Sequence, residues 1–213
     1  MVKTLKFSPD DRSRIAAAVH NAESATSGEI FAVFARRSDG YRFVSGFFAL
    51  LLSLVLGLIL SALLAVLGVA LPAFAVEGAQ AIGAAALLAA VWLWEDARML
   101  FVPKRIAAER AHRQALAQFL AHGIHITAGR TGVLLYVSEA EHYAEVVADA
   151  AINEKVGEET WSEIVTTLTE AAREDRLAEG FVAAVEKTGV ILTRHFPAGE
   201  TNPNEIPDGI VEI

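Results

Sequence analysis

Cysteine is absent from the 213 residues, which excludes disulfides and thiol chemistry and accords with a reducing compartment. Basic charge is scarce: 18 Lys and Arg stand against 26 Asp and Glu, a net charge of −8. Nucleic acid is thereby excluded as an expected partner, because a phosphate backbone is held by a basic face. Catalytic signatures are missing as well. The chain has no nucleophile elbow, no Gly-rich phosphate loop ending in Lys and no helix with paired zinc-binding histidines. No serine, Ser27 and Ser138 included, has a histidine beside it in sequence. No catalytic residue is therefore assigned, and an enzyme is the less favoured expectation.

Apolar residues are plentiful, at 54% with a mean hydropathy of +0.39, and the excess lies in one region. Phe43 to Leu71 carries no charge over about 29 residues, where roughly 20 suffice to cross the hydrocarbon layer. A second apolar stretch, Gly78 to Trp94, is about 17 residues long and ends in Trp92 and Trp94, residue types that favour a membrane interface. Pro72 and Gly78, around Glu77, predict a short turn between two transmembrane helices. Arg36, Arg37 and Arg42 precede the first span and Arg98, Lys104 and Arg105 follow the second, while the turn has no Lys or Arg. By the positive-inside rule both termini are expected in the cytoplasm, with the hairpin integral to the inner membrane and the flanking cations on lipid headgroups. Met1 to Gly40 has no continuous apolar core, so no cleavable signal peptide is expected. Glu95 and Asp96 directly follow the second span and read as interfacial charges.

The remainder reads as an α/β domain. Ser8 is placed to cap a helix with Pro9 at its first position and Asp10 and Asp11 at the positive end of its dipole; Ile15, Ala18, Val19 and Ala22 come next on one face. Glu29 to Ala35 predicts a buried strand. One helix and one strand cannot close a core, so they must pack on the chain beyond the hairpin. There, Pro103 to Leu120 predicts a helix stopped near Gly123. Val133 to Val137 predicts a strand covered on both faces and Tyr143 to Asp149 a neighbour; Trp161 to Ala172 and Leu177 to Leu192 predict two closing helices. The expected fold is a small mixed sheet covered by helices. It divides into residues 1–42, a hairpin over 43–102 (spans about 43–71 and 78–94), residues 103–197, and a flexible tail over 198–213 with Pro203 and Pro207.

The order of Ser27-Gly28-Glu29-Ile30-Phe31-Ala32-Val33, Arg130-Thr131-Gly132-Val133-Leu134-Leu135-Tyr136-Val137-Ser138, Glu145-Val146-Val147-Ala148-Asp149, Trp161 and Glu179-Gly180 resembles the TPM domain family, in its branch of bacterial membrane proteins. That resemblance implies a compact α/β sandwich, divalent cation binding in some members and acid phosphatase activity in some relatives. This chain departs from the pattern where Ala150 and Ala151 replace glycines and where the hairpin comes after the first strand.

Candidate sites are few. Arg130 and Thr131, in a Gly-flanked turn, are the candidate anion site, against an ordinary strand-entry turn. Glu29, Asp39 and Asp149 are the candidate carboxylates for a divalent cation, calcium or magnesium, if the strand ends align. His122 and His125 have a two-histidine spacing, but a capping or surface role is favoured at a helix end. The leading expectation is a membrane-anchored domain that binds a partner or ion in the assembly or maintenance of membrane proteins. The alternatives are a weak metal-dependent acid phosphatase using these residues, and a structural subunit whose Gly83, Ala84 and Ala85 allow close helix approach.

Overall fold

The computed structural model describes residues 7–213. The described residues divide into two compact units: residues 7–38 with 108–213, and residues 39–107 between them in sequence.

In the first unit, helix α1 (Pro9–Glu23) begins as its sequence predicts. The Ser8 hydroxyl accepts from the Asp11 amide, and the Asp11 carboxylate accepts from the Ser8 amide, the reciprocal pair of a capping box. Strand β1 (Glu29–Ala35) is next. After the inserted unit come helix α5 (Lys104–Ala121), a short 3-10 turn at Ile124–Ile126, β2 (Gly132–Ser138) and β3 (Tyr143–Ala148). Helices α6 (Ala150–Asn153), α7 (Glu158–Arg173) and α8 (Leu177–His195) come next, and β4 (Ile210–Glu212) ends the chain.

The sheet order is β3-β2-β1-β4. Strand β1 lies parallel to β2 over its whole length, from Glu29 opposite Gly132 to Ala35 opposite Ser138. It also lies parallel to β4, while β2 and β3 are antiparallel. Every residue of β1 and β2 is buried, because helices cover both faces and a continuous apolar run has no solvent side. Ile30, Ala32 and Phe34 with Val133, Leu135 and Val137 face a core shared with Ile15 and Val19 of α1, Ile164 and Leu168 of α7, and Phe181 and Val185 of α8. The alternate residues, Phe31, Val33, Leu134 and Tyr136, face Ala111, Ala115 and Phe119 of α5. The unit is a three-layer α/β sandwich with a mixed sheet in the middle.

The 198–213 segment differs from expectation. Instead of a flexible tail it ends in β4, whose residues pair with Ala32, Val33 and Phe34. The Ile213 amide donates to the Phe34 carbonyl and the Arg36 amide to the Ile213 carbonyl. The physical reason is the open edge of β1, whose backbone groups need partners and find them in a short β-branched run.

The second unit contains α2 (Arg42–Val66) and α3 (Ala73–Leu93), both long and apolar enough to cross a membrane, and then the short α4 (Glu95–Leu100). The two long helices pack on each other through small residues of α2: Ser45, Gly46, Ala49 and Ser53 are buried, and Gly57 meets Gln80 of α3. Most of their apolar residues are exposed, with Leu58 at 64% and Ile82 at 73%. The expected turn around Glu77 is corrected: Pro72 precedes the first residue of α3, and Glu77 and Gly78 lie inside that helix. Pro suits a helix start, and one interior Gly costs only about 1 kcal/mol, so α3 is longer than its apolar stretch. At its other end Arg98, 3% exposed, donates from Nε to the Val91 carbonyl at 2.9 Å and from Nη2 to the Trp92 carbonyl at 3.1 Å. It satisfies carbonyls that a helix end leaves free.

At Gly132 β2 runs close to other backbone, since an added Cβ would stand 2.3 Å from the Ile124 carbonyl oxygen. Gly132→Ala is expected to cost about 2 kcal/mol or more, read as a lower Tm of the detergent-solubilised protein. Gly83→Ala, with open space around it, is expected to leave Tm unchanged or slightly raised.

Candidate functional site

The chemistry-bearing groups of the α/β unit gather at the two ends of its sheet. At the amino end of β1 they are carboxylates. Glu23, the last residue of α1, lies on the same helical stripe as Ile15 and Val19 and is turned inward, 6% exposed. Its Oε1 accepts from the Ile30 amide at 2.7 Å, holding the end of α1 to the start of β1. Glu29, 4% exposed, accepts through Oε2 from the Ile206 amide at 3.1 Å.

The 202–208 segment closes over them. Asn202 donates from Nδ2 to the carbonyls of Glu23 and Thr26. Glu205 accepts from the Ala128 amide. Asp208 contacts His20 Nδ1 at 3.0 Å and accepts from Asn204 Nδ2 at 2.5 Å. Its carboxylate also lies within hydrogen-bond reach of Glu23, whose buried Oε2 has no donor. Two ionised carboxylates have no proton to share, so that contact is satisfied only when one of them is protonated.

Burial pushes the Glu23 carboxyl up to about 8; the Ile30 amide opposes the shift, and the carboxylates of Glu29 and Asp208 add to it. Glu29 is raised in the same direction, again chiefly by burial, with the amides of Glu205 and Ile206 opposing and the carboxylates of Glu205 and Asp208 adding. Beside this cluster Phe31, His122, Ile206, Pro207, Asp208 and Val211 line a small cavity of about 220 Å³.

At the carboxyl end of the same strands the groups are hydroxyls. Ser38 Oγ donates to Ser138 Oγ at 3.0 Å and meets the buried Tyr136 hydroxyl at 2.9 Å. Ser138 Oγ donates to Glu141, which also accepts from the Ser38 amide. Burial raises the Tyr136 phenol above its ordinary range, while the hydroxyls of Ser38 and Ser138 oppose the shift. This chain of bonds ties the exit of β1 to the turn between β2 and β3.

The sequence-derived candidates fall into separate places. Glu29 and Asp149 flank Gly132 at one end of the sheet: Glu29 pairs with it, and the Asp149 amide donates to its carbonyl. Asp39 directly follows Ser38, at the opposite end, so the three carboxylates are not brought together. Among the described residues no three His, Cys, Asp or Glu side chains converge as a metal ligand set.

Asp149, 4% exposed, is held by both sides of the Arg130 fork, from Nε at 2.9 Å and from Nη2 at 3.0 Å, and also accepts from the Ala150 amide at the start of α6. Arg130 thus spends its bidentate face on a carboxylate within the chain. Thr131 is buried, with its hydroxyl donating to the Ser27 carbonyl and its amide to Thr127 Oγ1. His122 packs on Phe31 with ring centroids 4.5 Å apart, and His125 packs separately near Phe119.

Sequence reasoning missed Glu23, Asp208 and the Ser38 network. For Glu23 a signal was present: it falls four residues after Val19 and eight after Ile15, a carboxylate on the apolar stripe. Asp208 carries no such mark, because its neighbours come from α1 and β1.

A three-layer α/β sandwich with a mixed four-stranded sheet is the class the fold defines. Residues 96–190 match the family model of the TPM domain, the family that the sequence pattern resembles. The match begins after α3, and it leaves out β1, the strand at the centre of the sheet. Among solved structures, the chain is similar to the BA42 protein from the psychrophilic bacterium Bizionia argentinensis, determined by NMR, at 17% identity and a TM-score of 0.60, over 100% of this chain and 99% of that one. No curated protein sequence matches.

The Glu23 value is raised on folding, so its contribution to stability is complete below about 4.5, declines as pH rises and is gone above about 8. Tm is expected to fall across that window, and Glu23→Gln to flatten the profile. Arg130→Ala leaves the buried Asp149 carboxylate without its guanidinium partner and is expected to cost about 1–2 kcal/mol in chemical denaturation.

Proposed function

We propose that this is a membrane-anchored TPM-domain protein whose α2–α3 hairpin crosses the inner membrane twice, leaving the α/β unit and both termini in the cytoplasm. There the unit binds a membrane-protein partner in assembly or maintenance. The observation that carries the reading is the parallel register of β1 and β2, Glu29 to Ala35 against Gly132 to Ser138, on either side of two helices with the length and hydropathy of spans. Strands joined over seven residue pairs occupy one compartment, so the inserted segment must return to the side it left, and two crossings do that.

The exposed side chains agree with this reading. Phe43 at 90%, Trp92 at 58% and Trp94 at 65% exposed stand at the ends of α2 and α3 that adjoin the α/β unit in sequence, where aromatic residues mark an interface. Arg42 lies 5.8 Å from the Trp92 ring centroid, a cation–aromatic pair suited to the headgroup layer. The basic residues around both ends, against none between the spans, set the orientation. Partner binding rests on β3, the end strand of the sheet, whose six residues are all only partly buried and whose outer edge has no strand beside it among the described residues, a place for strand addition.

With no native cysteine, single-cysteine labelling tests the topology directly. Val69→Cys, between the two long helices, is expected to react with a membrane-impermeant maleimide on intact cells. Glu200→Cys is expected to react only after the cells are opened. Labelling of Glu200→Cys from outside, or recovery of the protein in the soluble fraction, overturns the reading.

A further inference from the structure

The 198–213 segment is held to the α/β unit by contacts of two kinds. One set does not involve the buried carboxylates: the backbone pairing of β4, the Asn202 amide bonds, and Arg12 on Glu212 at 2.6 Å. The other is made by carboxylates: Glu29 on the Ile206 amide, Glu205 on the Ala128 amide, and the meeting of Glu23 and Asp208, which join the end of α1 to the loop before β4.

Glu23 is more than nine-tenths buried, and its Oε2 has no donor among its neighbours. The titratable groups around it are Glu29 on β1 and Asp208 on the closing segment, with Glu205 of that segment facing Glu29 and His20 of its own helix meeting Asp208. Three of these four are acids. No Lys or Arg pairs with Glu23 or Asp208 in the salt bridges of the described residues, so a proton is the counter-charge these groups can supply for themselves.

We propose that Glu23 and Asp208 share one proton, and that this proton is a latch holding the 202–213 segment and its strand β4 against β1. A protonated Glu23 Oε2 donates to the Asp208 carboxylate, which also accepts from Asn204 Nδ2 and meets His20 Nδ1. Loss of the proton leaves a buried Glu23 charge facing the partly exposed Asp208 carboxylate, and the segment lifts to let water reach Glu23. Lifting uncovers the edge of β1 at Ala32 to Phe34. The device is independent of the membrane reading, because every group in it belongs to the α/β unit.

Amide hydrogen exchange on the full-length protein in detergent, corrected for the intrinsic pH dependence of exchange, reads the latch locally. The open segment carries Glu23 at an ordinary carboxylate value and the closed one carries it raised, so the open fraction is expected to rise roughly tenfold per pH unit from about pH 5 to about pH 8, then level off. The rise is read at the Ile206 and Ile213 amides, while the β2 amides stay protected. Glu23→Gln, whose amide donates to Asp208 at every pH, is expected to hold protection at Ile206 and Ile213 constant over this range. Asp208→Asn, which keeps a donor facing Glu23, serves if the first variant does not fold and is expected to give a shallower slope. Equal protection of the wild type at pH 5 and pH 8 overturns the proposal. So does a variant slope identical to that of the wild type, or loss of β2 protection in step with β4.

Discussion

The parallel pairing of β1 with β2 is the constraint on which the rest depends. It joins residue 29 to residue 132 and each pair up to residues 35 and 138, across a separation that includes both long apolar helices. Closing so long a loop is less costly than its length suggests, since closure entropy grows only by about 0.6 kcal/mol per doubling. The pairing in turn creates two buried faces, one filled by α1, α7 and α8 and the other by α5. It also leaves an edge of β1 open for β4.

The ends of these paired strands bring polar groups together under cover, and the two ends are handled differently. At the exit, hydroxyls of Ser38, Tyr136 and Ser138 donate along a line that ends on Glu141, so each acceptor meets a donor. At the entry, Glu23, Glu29 and Asp208 come together, Glu23 Oε2 has no donor, and burial raises the first two. The first arrangement costs little because it is satisfied. The second is satisfied only in a particular protonation state, and it lies under a segment that holds to the sheet by three residue pairs. Stability and pH response are therefore located at opposite ends of one strand.

Arg130 and Asp149 show how a motif that reads as a binding turn in sequence becomes internal structure. Arg130 takes a positive φ of 52°, a conformation uncommon outside Gly and Asn, and from it the guanidinium reaches back over Asp149, which also caps α6. The same carboxylate that suggested a cation site neutralises the same cation that suggested an anion site. Each candidate explains the other, and neither partner is visible from the other's place in the chain.

The amino-acid sequence by itself determined the element types: the capped α1, the apolar β1 and β2, the two long apolar helices, α7 and α8, and through the ordered motifs the likeness to the TPM domain. These rest on periodicity, capping residues and hydropathy, which are local and repeat over many residues. Only the tertiary structure decided that the last residues form β4, that Glu77 lies inside α3, and that Glu23 meets Asp208 while Asp39 stands apart from Glu29 and Asp149. A three-residue strand has too little pattern to announce itself and forms because an edge awaits it. A carboxylate's partner depends on which chain ends the fold brings side by side. Local physical preference is written residue by residue, whereas burial and charge pairing are properties of neighbours that only the closed sheet supplies.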